Sequence, residues 1–220
     1  MDNQKKIFEK LSFGSFPANL ANILFMPRKK EGDAFYASAN YKVKEPNLTR
    51  PEEHIDSFEH DVIMVLAHCG VRPDRGKLRG KIVNRYFVSI EIKTTFDDIW
   101  DSSIDKYLGA TRLFFIAAPK NLLHPIIQKY RRHPQKELIG LIDADSGAVV
   151  VLPKPQAFQK DRCDRLLARC YTSVHRYPFC CSDAELYGNH RIMEIDCPAP
   201  EWLERDGIIV NAAYQHLFRD

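Results

Sequence analysis

Tyr86-Phe87-Val88-Ser89-Ile90-Glu91-Ile92-Lys93 is the stretch that decides the fold. Tyr86, Val88, Ile90 and Ile92 fall on one side of an extended chain; Phe87, Ser89, Glu91 and Lys93 fall on the other. Such alternation predicts a strand. Residues 78–83 read as a partner strand joined to it near Asn84-Arg85. Downstream, Thr94 or Thr95 is placed to start a helix, with Asp97 and Asp98 in its first turn and Gly109 near its end.

Working outward, residues 113–117 form a short continuous apolar run, the pattern of a strand buried on both faces. Residues 120–132 read as a helix whose start Pro125 disturbs. Residues 138–142 and 148–152 read as strands around the turn Asp143-Ala144-Asp145-Ser146-Gly147. Upstream, Ile55, Phe58, Val62, Val65 and Leu66 recur at three- and four-residue steps, which predicts a helix over 52–68 ended by Gly70. A short apolar helix over Phe16–Phe25 and a strand over 34–43 precede it. The order predicts an α/β fold with a mixed β-sheet flanked by helices. Three regions follow: an N-terminal lead-in (1–50) packing on the core, an α/β core (51–155) and a mostly helical C-terminal extension (156–220). Helices are expected there near 160–172 and 200–206.

Composition narrows the function classes. The chain has 220 residues, 45% hydrophobic and 28% charged, which suits a globular protein and excludes disordered and fibrous classes. No apolar run approaches the ~18 residues of a membrane span. Residues 1–6 lead into no apolar segment of the secretory kind, so a cytoplasmic location and free thiols are expected. The tail residues Cys163, Cys170, His175, Cys180, Cys181, His190 and Cys197 lack the close pairs of zinc or iron–sulfur sites and read as ordinary burial. The nucleotide-binding and serine-hydrolase loops are absent too.

The chemistry concentrates around Glu91-Ile92-Lys93. Glu91 and Lys93 are two residues apart in a strand and project together. A carboxylate beside an ammonium can hold a divalent cation and a reacting oxygen side by side, as phosphodiester hydrolysis requires. The bland alternative is an ion pair on a solvated strand. Arg72, Arg75, Lys77, Arg79, Lys81 and Arg85 adjoin this strand and could track a polyanion's phosphates, or simply decorate a charged hairpin. Asp97, Asp101 and Asp105 share a helical face and read as solvated. The net charge of +3 neither demands nor excludes a nucleic-acid partner.

Phe58-Glu59, then Gly70-Val71, Pro73-Asp74, Glu91-Ile92-Lys93 and a following buried strand together resemble the PD-(D/E)xK nuclease superfamily. Residues 89–119 and 139–152 are most similar to its MmcB-like DNA-repair branch, through Glu91-Ile92-Lys93, Tyr107, residues 114–119, Gly140-Leu141-Ile142 and Gly147-Ala148-Val149. The resemblance covers about residues 52–155 and implies a restriction-endonuclease-like core. It implies Mg²⁺, replaceable by Mn²⁺, held by Glu91, Asp74, Glu59 and the backbone carbonyl of Ile92. Lys93 would orient the attacking water. Glu59 would approach Glu91 and Lys93 from the first helix. Lys106 and Tyr107 would border the substrate beside the basic run. The implied partner is nucleic acid, DNA ahead of RNA, with no membrane; a homodimer is admitted. The family's acid normally lies on the strand preceding E-x-K. Residues 78–83 carry none, so Asp74, in the loop before them, stands in for it or is a plain turn residue. If no acid serves there, the fold is a non-catalytic module binding nucleic acid or a protein.

Overall fold

The computed structural model describes residues 3–25, 34–45, 58–70, 81–95, 102–157, 159, 162–163, 165–166 and 208–219. Helices α1 (Asn3–Phe13) and α2 (Phe16–Phe25) are followed by three long strands: β1 (Ala34–Glu45), β2 (Phe58–Gly70) and β3 (Lys81–Ile92). A 3₁₀ segment, Ser102–Tyr107, leads to β4 (Leu113–Ala118), α3 (Lys120–Tyr130), β5 (Ile139–Asp143) and β6 (Ala148–Leu152). The short strand β7 (Ile209–Val210) and a 3₁₀ segment, Ala212–Phe218, follow. Among the described residues, seven strands form one mixed sheet in the order β1-β2-β3-β4-β5-β6-β7. The pairs β3–β4 and β4–β5 are parallel; the others are antiparallel.

Two layers of helix cover the sheet. On one face Val62, Met64, Leu66, Val88, Ile90, Ile92 and Phe115 pack against Phe8, Leu11, Phe16, Leu20 and Leu24 of α1 and α2. On the other, Phe114, Ile116 and Leu141 meet Tyr107 and the α3 residues Leu123, Ile126 and Ile127. The alternation of β3 and β4 divides the two cores, as period-two side-chain placement requires. The chain is therefore α/β with helices on both faces.

The helix expected over 52–68 is not formed: residues 58–70 are strand β2, and 52–57 lie outside the described residues. Val62-Ile63-Met64-Val65-Leu66 is a continuous apolar run, which satisfies a helical repeat and a buried strand equally. Its β-branched members favour the strand. All five residues are buried, with β1 and β3 hydrogen-bonded on either side, so both faces are consumed. The hairpin expected near Asn84-Arg85 is also replaced: 81–92 is one continuous strand. The lead-in contributes a sheet strand, β1, besides its helices. In the extension, β7 joins β6, while residues 162–163 and 165–166 are helical. The expected helix near 200–206 lies outside the described residues.

The β5–β6 turn depends on Gly147, whose φ is +70°; a Cβ there would come within 2.8 Å of Ser15 Oγ and 2.9 Å of Phe16 N. Asp143 Oδ1 accepts from Asp145 N at 2.9 Å, and its Oδ2 accepts from Tyr214 Oη at 2.7 Å. The C-terminal segment is thus tied to the sheet end.

Candidate functional site

Glu91 and Lys93 lie at the end of β3, opposite in facing to Ile90 and Ile92 and hence away from α1 and α2. Lys93 Nζ donates to Glu91 Oε1 at 3.3 Å. Both are nearly buried, at 8% and 9% exposure. Backbone pairing extends this end of the sheet, because Lys93 N donates to Ala117 O at 2.9 Å.

The strand that precedes β3 carries an acid at this end, Asp61. Strand β2 pairs antiparallel with β3 as far as Val62 opposite Ile90, so Asp61 lies one step on, across from Glu91. There the ladder changes character: Ile92 N donates to Asp61 Oδ2 at 2.8 Å, so a side chain serves as the acceptor. Burial pushes the Asp61 carboxyl above its ordinary range, against the Ile92 hydrogen bond and the nearby Lys93 and Lys42 charges. Burial, and then the Asp61 charge, push Glu91 up to about 7, against Lys93 and Lys106. The buried Glu91 Oε2 has no hydrogen-bond partner.

Other sequence candidates gather nearby. Glu59 lies on β2 instead of a helix; it pairs with Lys42 at 3.6 Å, and its charge is felt at Asp61. Tyr107 donates from its hydroxyl to Glu59 O at 3.2 Å and stacks on Phe114. Lys106 Nζ sits 4.9 Å from the Tyr107 ring centroid. Asp74, Arg72, Arg75, Lys77 and Arg79 lie outside the described residues, as do the side chains of Lys81 and Arg85. Of the aspartate row, Asp105 meets His133 at 3.3 Å, on the α3 side, while Asp97 and Asp101 are outside the described residues.

Three residues beyond the sequence candidates matter. Asp61 was hidden by the helical reading of β2. Lys42 falls opposite Asp61, between the Tyr41–Val62 and Val43–His60 pairs, and has a φ of +53°. No residue pattern marks that conformation. Gln4 of α1 donates from Nε2 to Ile92 O at 3.4 Å, a contact across 88 positions.

The donor set suits a small hard cation. Two carboxylates and the Ile92 carbonyl offer oxygen alone, and Glu91 Oε2 is a buried acceptor without a partner. Among the described residues no three His, Cys, Asp or Glu side chains converge to hold a metal by themselves. A magnesium-like ion is ordinarily held by one or two carboxylates with water and phosphate completing its shell.

No family model matches the chain, and no curated protein matches it. Among solved structures, the SPO1766 protein of unknown function from Silicibacter pomeroyi is similar at 16% identity, over 72% of this chain and 84% of that one. The TM-score of that match is 0.37. No helix among the described residues is long and apolar enough to cross a membrane.

Proposed function

We propose that the chain is a PD-(D/E)xK-type nuclease that hydrolyses phosphodiester bonds in DNA with Mg²⁺. The observation that carries this reading is Asp61 standing across from Glu91, with Lys93 on the same strand end. Asp61 takes the role that the sequence could assign only to Asp74. Asp61, Glu91 and the Ile92 carbonyl would hold the cation, with Glu59 close enough to bias Asp61 by its charge. The bound cation would supply positive charge to polarise the phosphate and acidify water.

The chain's own residues do the rest. Near neutral pH Glu91 is poised between its protonated and ionised forms, and its ionised form would hold the cation. Lys93, which pairs with Glu91 in the metal-free protein, would offer its N–H donors to the attacking water. Lys106, whose charge is felt at Glu91, brings a second positive charge for a DNA phosphate to pair with.

The near burial of Glu91 and Lys93, each satisfied partly by the other, favours a second reading: a nuclease-fold module that binds DNA without cutting. Cleavage of plasmid and of single- and double-stranded oligonucleotides with Mg²⁺ separates the two. The wild type is expected to cut. Lys93→Ala is expected to lose about 10²–10³ in rate and keep its DNA affinity. Tight binding without cleavage in Mg²⁺ or Mn²⁺ would establish the binding module instead.

A further inference from the structure

Arg162 comes from the segment after β6, beyond the region that the nuclease resemblance covers. That segment is stitched back to the loop before β4. Gln156 N donates to Arg112 O at 3.0 Å, Gly109 N to Gln156 Oε1 at 2.9 Å, and Gln159 N to Gly109 O at 3.0 Å. Arg162 then enters the protein with 11% of its side chain exposed. Its Nε and Nη2 donate to the two carboxylate oxygens of Glu45, at the end of β1. Nη1 donates to Leu108 O at 3.0 Å, and Nη2 also donates to Lys106 O. One planar fork thus grips a buried carboxylate and two carbonyls that bracket Tyr107.

Glu45 in turn bonds His60 Nε2 at 3.1 Å, and the His60 ring meets the Tyr107 ring edge-on at 5.2 Å. Both routes from Arg162 end on the wall that carries Lys106 and Tyr107. A lysine could replace the charge but not the fork, because an ammonium cannot match three separately oriented acceptors in one plane.

We propose that Arg162 is a positioning residue of the site: by clamping Glu45 and the Lys106 and Leu108 carbonyls, it sets where the Lys106 ammonium stands for a DNA phosphate. The DNA part of this claim rests on the nuclease reading; the placement of Lys106 does not. Arg162 touches no substrate in this role. Its loss is therefore expected to weaken substrate engagement, while the Asp61–Ile92 hydrogen bond and the Lys93–Glu91 pair, which Arg162 does not touch, are kept.

The test has two arms. Lys106 Nζ lies over the Tyr107 ring, so its ε-methylene protons are shielded and resonate upfield of those of other lysines, assigned by their disappearance in Lys106→Gln. In Arg162→Met this resonance is expected to return to the common lysine position, and in Arg162→Lys to move part of the way. An unmoved resonance in Arg162→Met, or in Arg162→Lys should the first variant not fold, overturns the proposal. The second arm is cleavage kinetics. Arg162→Met is expected to raise KM for duplex DNA about tenfold with kcat changed less than about threefold. In a Lys106→Ala background the same substitution is expected to add less than about twofold, because both act through one group. Fully additive effects would overturn action through Lys106. Absence of cleavage by the wild type would defeat the nuclease reading, while the methylene resonance would still decide the role of Arg162.

Discussion

Asp61 carries two jobs that a substitution can separate. Its Oδ2 accepts from Ile92 N, and its charge raises Glu91. An asparagine keeps an oxygen acceptor for the Ile92 amide and discards the charge. Asp61→Asn is therefore expected to fold as the wild type does, yet lose Mg²⁺-dependent cleavage by about 10²–10³. The thermal melt and the cleavage rate of the same preparation check both halves. Glu91 makes a second prediction. Its folded pKa of about 7 exceeds the ordinary 4.5, so between those values the folded chain holds a proton that the unfolded chain has released. The Glu91 contribution to the stability of the metal-free protein should therefore be full below about 4.5 and fall as pH rises toward about 7. Asp61, also raised, acts in the same direction. Glu45 and Asp143 are held below their ordinary values, so their contributions are lost only in more acidic solution. The buried His60 is held below its ordinary value and acts the opposite way, adding stability as pH rises toward 6.5. The comparison is therefore with a variant: relative to Glu91→Gln, the wild-type melting temperature should fall between pH 5 and 7. A Glu91→Gln curve that runs parallel to the wild-type curve from pH 5 to 7 would contradict this account of the pair.

At the scale of elements, packing is close where β5 runs beside β4. Gly140 lies opposite Phe115, and a Cβ on it would come within 2.3 Å of the Phe115 ring and 2.7 Å of Pro153 Cδ. Gly140→Ala should cost about 1–3 kcal/mol, read from denaturant unfolding. A neutral result would show that the ring and proline can give way. Gly140-Leu141-Ile142 was among the residues carrying the family resemblance, and its glycine has this steric reason. Elements that a local pattern specifies were legible in the sequence. Alternation gave the part of β3 from Tyr86 on, continuous short apolar runs with turn residues gave β4, β5 and β6, and α2 has the bounds Phe16–Phe25. Strand β2 was not legible, because five consecutive apolar residues fit both periods and only the neighbouring strands decide between them. Helix α1 was missed for a related reason: Ile7, Phe8 and Leu11 are few apolar residues among many polar ones, and only the sheet beneath makes them a face.

Across the whole molecule, the candidate site is assembled from distant segments. Asp61 comes from β2, Glu91 and Lys93 from β3, and Lys106 and Tyr107 from the segment before β4. Gln4 reaches it from the N-terminal helix, and Arg162 braces it from the C-terminal side. Glu91-Ile92-Lys93 could be read from the sequence because its members are neighbours on one strand. Asp61, 30 positions earlier, could be paired with Glu91 only once the register of β2 on β3 was known. That register is therefore the central claim in function as well as in fold. Crystals soaked in Mn²⁺ test it most directly through anomalous diffraction. The account predicts an anomalous peak within coordination distance of one carboxylate oxygen from Asp61, one from Glu91 and the carbonyl of Ile92. A cation held elsewhere in a protein that cuts DNA, with none between Asp61 and Glu91, would contradict it.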